Sequence, residues 1–197
     1  MKPIFLRMKA FGPFLKEQKI DFSAFEKSGL FLISGNTGAG KTTILDAMTY
    51  ALYGKSSGGT RGNFISMRCQ NAASGDITEV EFIFSIRDKK YKFIRSVRMG
   101  RKNYIAEHDA LYMTDDGSFM PFFENPTQKN VESKAEELMG LSYEQFRQVI
   151  ILPQGQFEKL LTAKSEEKED ILTNLFGADI WQKAAENMTE KVNEKRR

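Results

Sequence analysis

A single cysteine, Cys69, rules out an internal disulfide, so the fold must be held by packing, and a reduced cytoplasmic setting is expected. There is also only one histidine, His108, and no His/Cys/Asp set at metal-ligand spacing. Both residues read as ordinary packing or strand positions. No apolar run approaches the roughly 18 residues that a membrane-spanning helix needs. The opening MKPIFLRMKAF lacks a long apolar segment and a small-residue cleavage site, so no secretory signal is read. Excess charge is scarce too. A net charge of +3 does not by itself argue for a nucleic-acid partner. The 41% hydrophobic and 28% charged content, with sixteen Phe and nine Met, describes a globular domain with a well-filled core.

What the chain does have is GNTGAGKTT, residues 35–43. Gly35, Gly40, Lys41 and Thr42 fill the pattern G-x-x-x-x-G-K-[ST] of a phosphate-binding P-loop. An apolar run, Leu30 to Ile33, precedes it, and an amphipathic run, Ile44 to Leu52, follows. Strand, glycine loop and helix are the context such a loop requires. Glycines let backbone N–H groups turn inward toward a polyphosphate, and the helix N-terminus adds positive potential. Lys41 is expected to reach the β- and γ-phosphates, and the Thr42 hydroxyl to ligate Mg²⁺. The expected ligand is a nucleoside triphosphate, ATP, with Mg²⁺.

Period-two alternation predicts a strand over 4–11, with Ile4, Leu6 and Met8 on one face, and a second over 18–22. Helical spacing predicts a helix from Lys41 to Tyr53, burying Ile44, Leu45, Met48, Ala51 and Leu52 and ending at Gly54. Residues 55–75 read as a long surface loop. Residues 78–122 read as an antiparallel β-subdomain, with turns at Asp88–Lys90 and Asp115–Gly117. Helical period returns over 127–147, and the run Val149 to Leu152 predicts a buried strand. Beyond it the pattern is helical, with Ser165 as an N-cap, a break at Gly177, Trp181 on an apolar face, and an almost wholly polar run from Thr189.

One component is missing. A P-loop ATPase needs an apolar strand ending in Asp, often followed by Glu, to support the metal and polarise water. Val149 to Leu152 leads instead into Pro153 and Gln154, and no other strand qualifies. Half of the hydrolytic machinery is therefore absent from these 197 residues.

Three segments in order, AFGPF (10–14), GNTGAGKTTILDAMTYALYG (35–54) and VIILPQGQFEKLL (149–161) with LFG at 175–177, carry a family resemblance. Together they resemble the N-terminal ATPase lobe of the SbcC family, the bacterial SMC-like ATPases that form an exonuclease with an SbcD-type nuclease subunit. The resemblance covers essentially the whole chain. It implies an α/β P-loop NTPase of ABC-type head architecture, with a mixed central sheet, an antiparallel β-subdomain and the start of a coiled-coil helix. Residues 1–162 would be the N-terminal lobe, with a Q-loop at about 152–156, and 163–197 a helical stub leading into a truncated coiled coil. A C-terminal lobe of the same protein would bring the signature motif and Walker B strand, which accounts for the missing acid. Two such heads would sandwich ATP between them. Asn36, Thr37, Gly38, Ala39, Gly40, Lys41, Thr42 and Thr43 are the implied nucleotide contacts. Gln154 aligns with the Q-loop glutamine, implied to reach Mg²⁺ and the attacking water; without the family it reads as a turn residue. Lys41 and Gln154 are thus the implied catalytic pair, and Thr42 and Gln154 the implied metal contacts. Some relatives carry a nucleotide-contacting arginine after the first strand. Here Gly12 and Pro13 stand there, so that contact does not carry over.

Residues 87–102 hold eight basic residues and one acid. Lys89, Lys90, Lys92, Arg95, Arg98, Arg101 and Lys102, interleaved with Tyr91 and Phe93, form a candidate surface for double-stranded DNA. The alternative is a solvated sheet edge whose lysines block aggregation. Arg61 and Arg68 are candidates to approach nucleotide or the partner lobe. As a whole the chain reads as half of an ATPase head in a complex that processes DNA ends, where ATP-driven head engagement gates access to the nuclease subunit. No membrane partner is expected. The alternatives are an SMC- or RecN-type DNA tether without a nuclease, a free-standing P-loop kinase, and an ATP-binding module without turnover.

Overall fold

The structure, a computed structural model, describes residues 1–25, 31–57, 67–100 and 103–149. It divides into two compact units, Met1–Gly140 and Leu141–Arg197. The boundary expected at 162/163, the Q-loop with Gln154, and the helices expected beyond Phe157 lie outside the described residues.

The first unit is built on a six-stranded sheet. Its strands are β1 (Lys2–Lys9), β2 (Gln18–Asp21), β3 (Thr78–Ile86), β4 (Lys89–Met99), β5 (Tyr104–Met113) and β6 (Phe119–Pro121), ordered β2-β1-β3-β4-β5-β6. Every pairing among them is antiparallel. Alternation in the sequence sets the register. Leu6 lies opposite Phe82, Phe82 opposite Phe93, and Phe93 opposite Ala110. All four are fully buried, so one apolar row crosses the inner face of the sheet. A one-residue slip would turn that row to solvent, which is why the pairing is well specified.

Helix α1 (Lys41–Tyr53) packs on this face against β1, β3 and β4, and helix α2 (Gln128–Met139) packs on α1 and β5. Thr127 caps α2, its side chain accepting from the Asn130 N–H at 3.2 Å. Val131 and Ala135, one turn apart, are fully buried. In the second unit, helix α3 (Tyr143–Val149) starts with a reciprocal cap: the Ser142 N–H donates to Gln145 Oε1, and the Gln145 N–H to Ser142 Oγ.

Four local expectations change. Residues 31–36 have no strand assigned, and Leu32 is 89% exposed. A short all-apolar run makes a strand only when neighbours cover it, and nothing among the described residues pairs with this one. Val149 lies in a helix, and the rest of the strand expected over 149–152 lies outside the described residues. The first hairpin turns at Arg87–Asp88, with Arg87 at φ 55° and Ile86 facing Lys89, one residue earlier than expected. On α1, Leu45 is exposed while Thr43, Asp46 and Thr49 are buried. The helix is covered from Asp46 to Tyr53 on every side, so a single apolar stripe does not describe it.

Candidate nucleotide-binding site

The site sits where the glycine loop enters α1. Gly38 and Gly40 have φ of 83° and 86°, a region that disfavours side chains. The Ala39 N–H donates to Asn36 O at 3.2 Å and closes the turn. Gly40 is the N-cap of α1 and offers no side-chain cap, so no side chain covers the first helical N–H groups. Lys41 folds back over the loop: its Nζ donates to Gly35 O and Asn36 O, both at 2.8 Å. An ammonium has three donors, so this geometry leaves one to point elsewhere. Thr42 is exposed, whereas Thr43 is buried. An uncapped helix start, two left-handed glycines and a lysine held across the loop make an anion cradle. These residues fit a polyphosphate, and an exposed Thr42 hydroxyl fits a hard cation beside it.

A family model described as AAA domain matches residues 6–197. The chain belongs to this AAA domain family. Its fold is accordingly that of an α/β P-loop ATPase domain. The AAA domain is 40% identical over 202 residues to the C component of the nuclease SbcCD from Vibrio cholerae serotype O1, covering 98% of this chain. It is 39% identical to the protein of the same name from Staphylococcus saprophyticus, covering 100% of this chain. The AAA domain spans only 19% of the length of each of these curated relatives. Among solved structures, the "SMC head domain from Thermotoga maritima" aligns with a TM-score of 0.43 at 18% identity, over 83% of this chain and 52% of that one.

Sequence reasoning missed two buried polar anchors of the AAA domain. Asp46, one turn past Thr42 on α1, accepts from the Ser57 N–H at 2.9 Å and from the Ser57 hydroxyl. It ties the segment after the helix back onto the helix. The spacing Thr42-x-x-x-Asp46 could have flagged a shared helix face. The second anchor is Arg95, fully buried on β4. Its Nε and Nη2 donate to Ala51 O and Leu52 O, each at 2.9 Å, and cap the C-terminal end of α1. Its Nη1 lies 3.1 Å from His108 Nδ1. Arginine can only donate, so that imidazole nitrogen is the acceptor and His108 is neutral. Burial, then the Arg95 charge, lowers His108 from 6.5 to about 4. Burial likewise lowers Arg95 to about 10, which leaves it charged at neutral pH.

Arg95 therefore leaves the candidate DNA surface, because a fully buried guanidinium cannot touch a phosphate backbone. Tyr91 and Phe93 leave it too, since both are buried in the core. Lys92 faces outward but sits 4.3 Å from the Phe119 ring centroid and 3.9 Å from Glu81. Lys89, Lys90 and Arg98 are exposed, whereas Arg101 and Lys102 lie outside the described residues. Arg68 is also reassigned. Its guanidinium donates to Asp76 O and to Thr78 Oγ1 and fastens its own loop, so it is not free to approach a ligand. Arg61 lies outside the described residues. Among the described residues no group of three or more His, Cys, Asp or Glu side chains could hold a metal ion, and no helix is long and apolar enough to cross a membrane.

Proposed function

We propose that this chain is the N-terminal half of an ATPase head in a complex that processes DNA double-strand ends. ATP binding drives two heads together and gates DNA access to an SbcD-type nuclease subunit, and hydrolysis releases them. The observation that carries the reading is Lys41 spanning the loop carbonyls above an uncapped helix start. The relatives named for the nuclease SbcCD support the nuclease setting.

The residues act as follows. Backbone N–H groups of the 38–42 turn and the α1 N-terminus hold the β- and γ-phosphate oxygens. The Lys41 ammonium neutralises charge between them. The Thr42 hydroxyl offers a ligand to the cation. When bound, Mg²⁺ would supply positive charge that offsets the charge of the phosphate oxygens. Gln154 would orient the attacking water through its neutral amide. The acid that polarises water comes from a C-terminal lobe. Support for this division is Leu32, 89% exposed in the apolar run at 31–33, which an added strand would cover.

Nucleotide binding tests the site. The chain should bind ATP in the presence of Mg²⁺, and Lys41→Ala should weaken binding at least about tenfold, with unchanged melting. Equal affinity in both proteins would refute the assignment. Capture of an SbcD-type nuclease by the full-length protein would support the nuclease setting. A full-length protein that holds DNA without any nuclease would favour a tether.

A further inference from the structure

The segment Phe11–Phe14 joins β1 to β2 and plays no part in the scheme above. It is a tight turn: the Phe11 N–H donates to Phe14 O at 2.9 Å, and the Phe14 N–H to Phe11 O at 3.0 Å. It is tied from behind as well. The Gly12 N–H donates to Met67 O at 2.6 Å, the Cys69 N–H to Ala10 O at 2.9 Å, and the Phe11 ring lies 5.6 Å from Tyr50 on α1.

Its front meets the glycine loop at two points. A Cβ on Gly40 would fall 2.6 Å from Phe14 Cζ, 2.9 Å from Phe14 Cε2 and 3.0 Å from Pro13 Cγ. A Cβ on Gly12 would fall 2.5 Å from Thr43 Cγ2. The turn thus touches residues 40 and 43, and the two residues between, Lys41 and Thr42, are those assigned to phosphate and cation. Gly38 makes a useful contrast. It has the same backbone sign, yet nothing lies within 4 Å of where its Cβ would be. The loop is braced at its helical end and open at its tip.

We infer that Phe14 is a positioning residue for triphosphate binding: its ring, packed on Gly40, holds the loop-to-helix junction in the conformation that aims the Lys41 and Thr42 N–H groups at a phosphate. The inference rests on the triphosphate reading of the loop. It assigns Phe14 no contact with the ligand. A polyphosphate should therefore feel its loss whether or not a nucleoside is attached.

The experiment measures binding of Mg·ATP and of Mg·tripolyphosphate, which has no base or sugar, to the unmodified chain and to Phe14→Ala, Phe14→Leu, Phe14→Tyr and Lys41→Ala. Phe14→Ala should weaken both ligands by the same factor, roughly tenfold. Phe14→Leu should recover part of the loss. Phe14→Tyr should behave like the alanine variant even though it keeps the ring, because its hydroxyl grows from the atom nearest Gly40. A merely structural role would track melting temperature and rank tyrosine above leucine, so either pattern overturns the inference. Loss of ATP binding alone would make Phe14 a nucleoside contact and also overturn it. Unchanged binding by the variants, in a chain that binds through Lys41, overturns the inference and spares the site. Failure of the unmodified chain to bind either ligand removes the site and the inference together.

Discussion

At the scale of single residues, the most consequential side chain outside the loop is Arg95. A guanidinium fully removed from water is tolerable only where its nitrogens find acceptors, and here two helix-terminal carbonyls and an imidazole give each of its three nitrogens one. Arg95→Met should leave Ala51 O and Leu52 O without these partners and lower stability by about 3 kcal/mol, read from denaturant midpoints. Arg95→Lys should rescue little, because one ammonium cannot reproduce the planar fork. His108 adds a pH dependence. Its folded value of about 4 lies below its ordinary 6.5, so the unfolded chain binds more protons between those values. Stability should be level above about pH 6.5 and fall as the pH drops toward 4. His108→Gln should flatten that decline, as thermal melts across the range would show. Asp46→Asn should weaken the Ser57 latch and cost about 1–2 kcal/mol, measured in the same way.

At the scale of elements, the sequence was legible wherever period and neighbours agreed. Helix α1 runs from Lys41 to Tyr53 as its spacing and Gly54 predict. Strands β3 and β4 alternate between buried and outward positions, and Tyr91, Phe93, Arg95 and Val97 share the inner face of β4. That same alternation already pointed Arg95 inward. Reading residues 87–102 as one basic patch overlooked it, because composition averages over both faces of a strand. Geometry separates the patch further. Lys90 and Arg98 are eight residues apart on one strand, or roughly 26 Å at the usual rise. The run at 31–33 failed for the opposite reason. An all-apolar run predicts a strand only if partners exist, and partners are a property of the sheet, not of the run. The buried positions Thr43, Asp46 and Thr49 were invisible because hydrophobic periodicity does not register polar side chains that become anchors.

At the scale of the whole molecule, the described residues form an antiparallel sheet, a phosphate cradle at the head of α1, and an exposed apolar run beside it. In the proposed architecture that run and that cradle both await the same partner, a lobe that adds strands and an acidic residue. Binding and turnover should therefore separate. The most direct measurement is ATP hydrolysis by this chain alone and after addition of the C-terminal lobe of an SbcC-type protein. The account predicts bound nucleotide with negligible turnover by the chain alone, and turnover that appears on mixing and disappears with Lys41→Ala. Turnover by the isolated chain at about 1 per second or faster, within the ordinary range of enzymes, would contradict it.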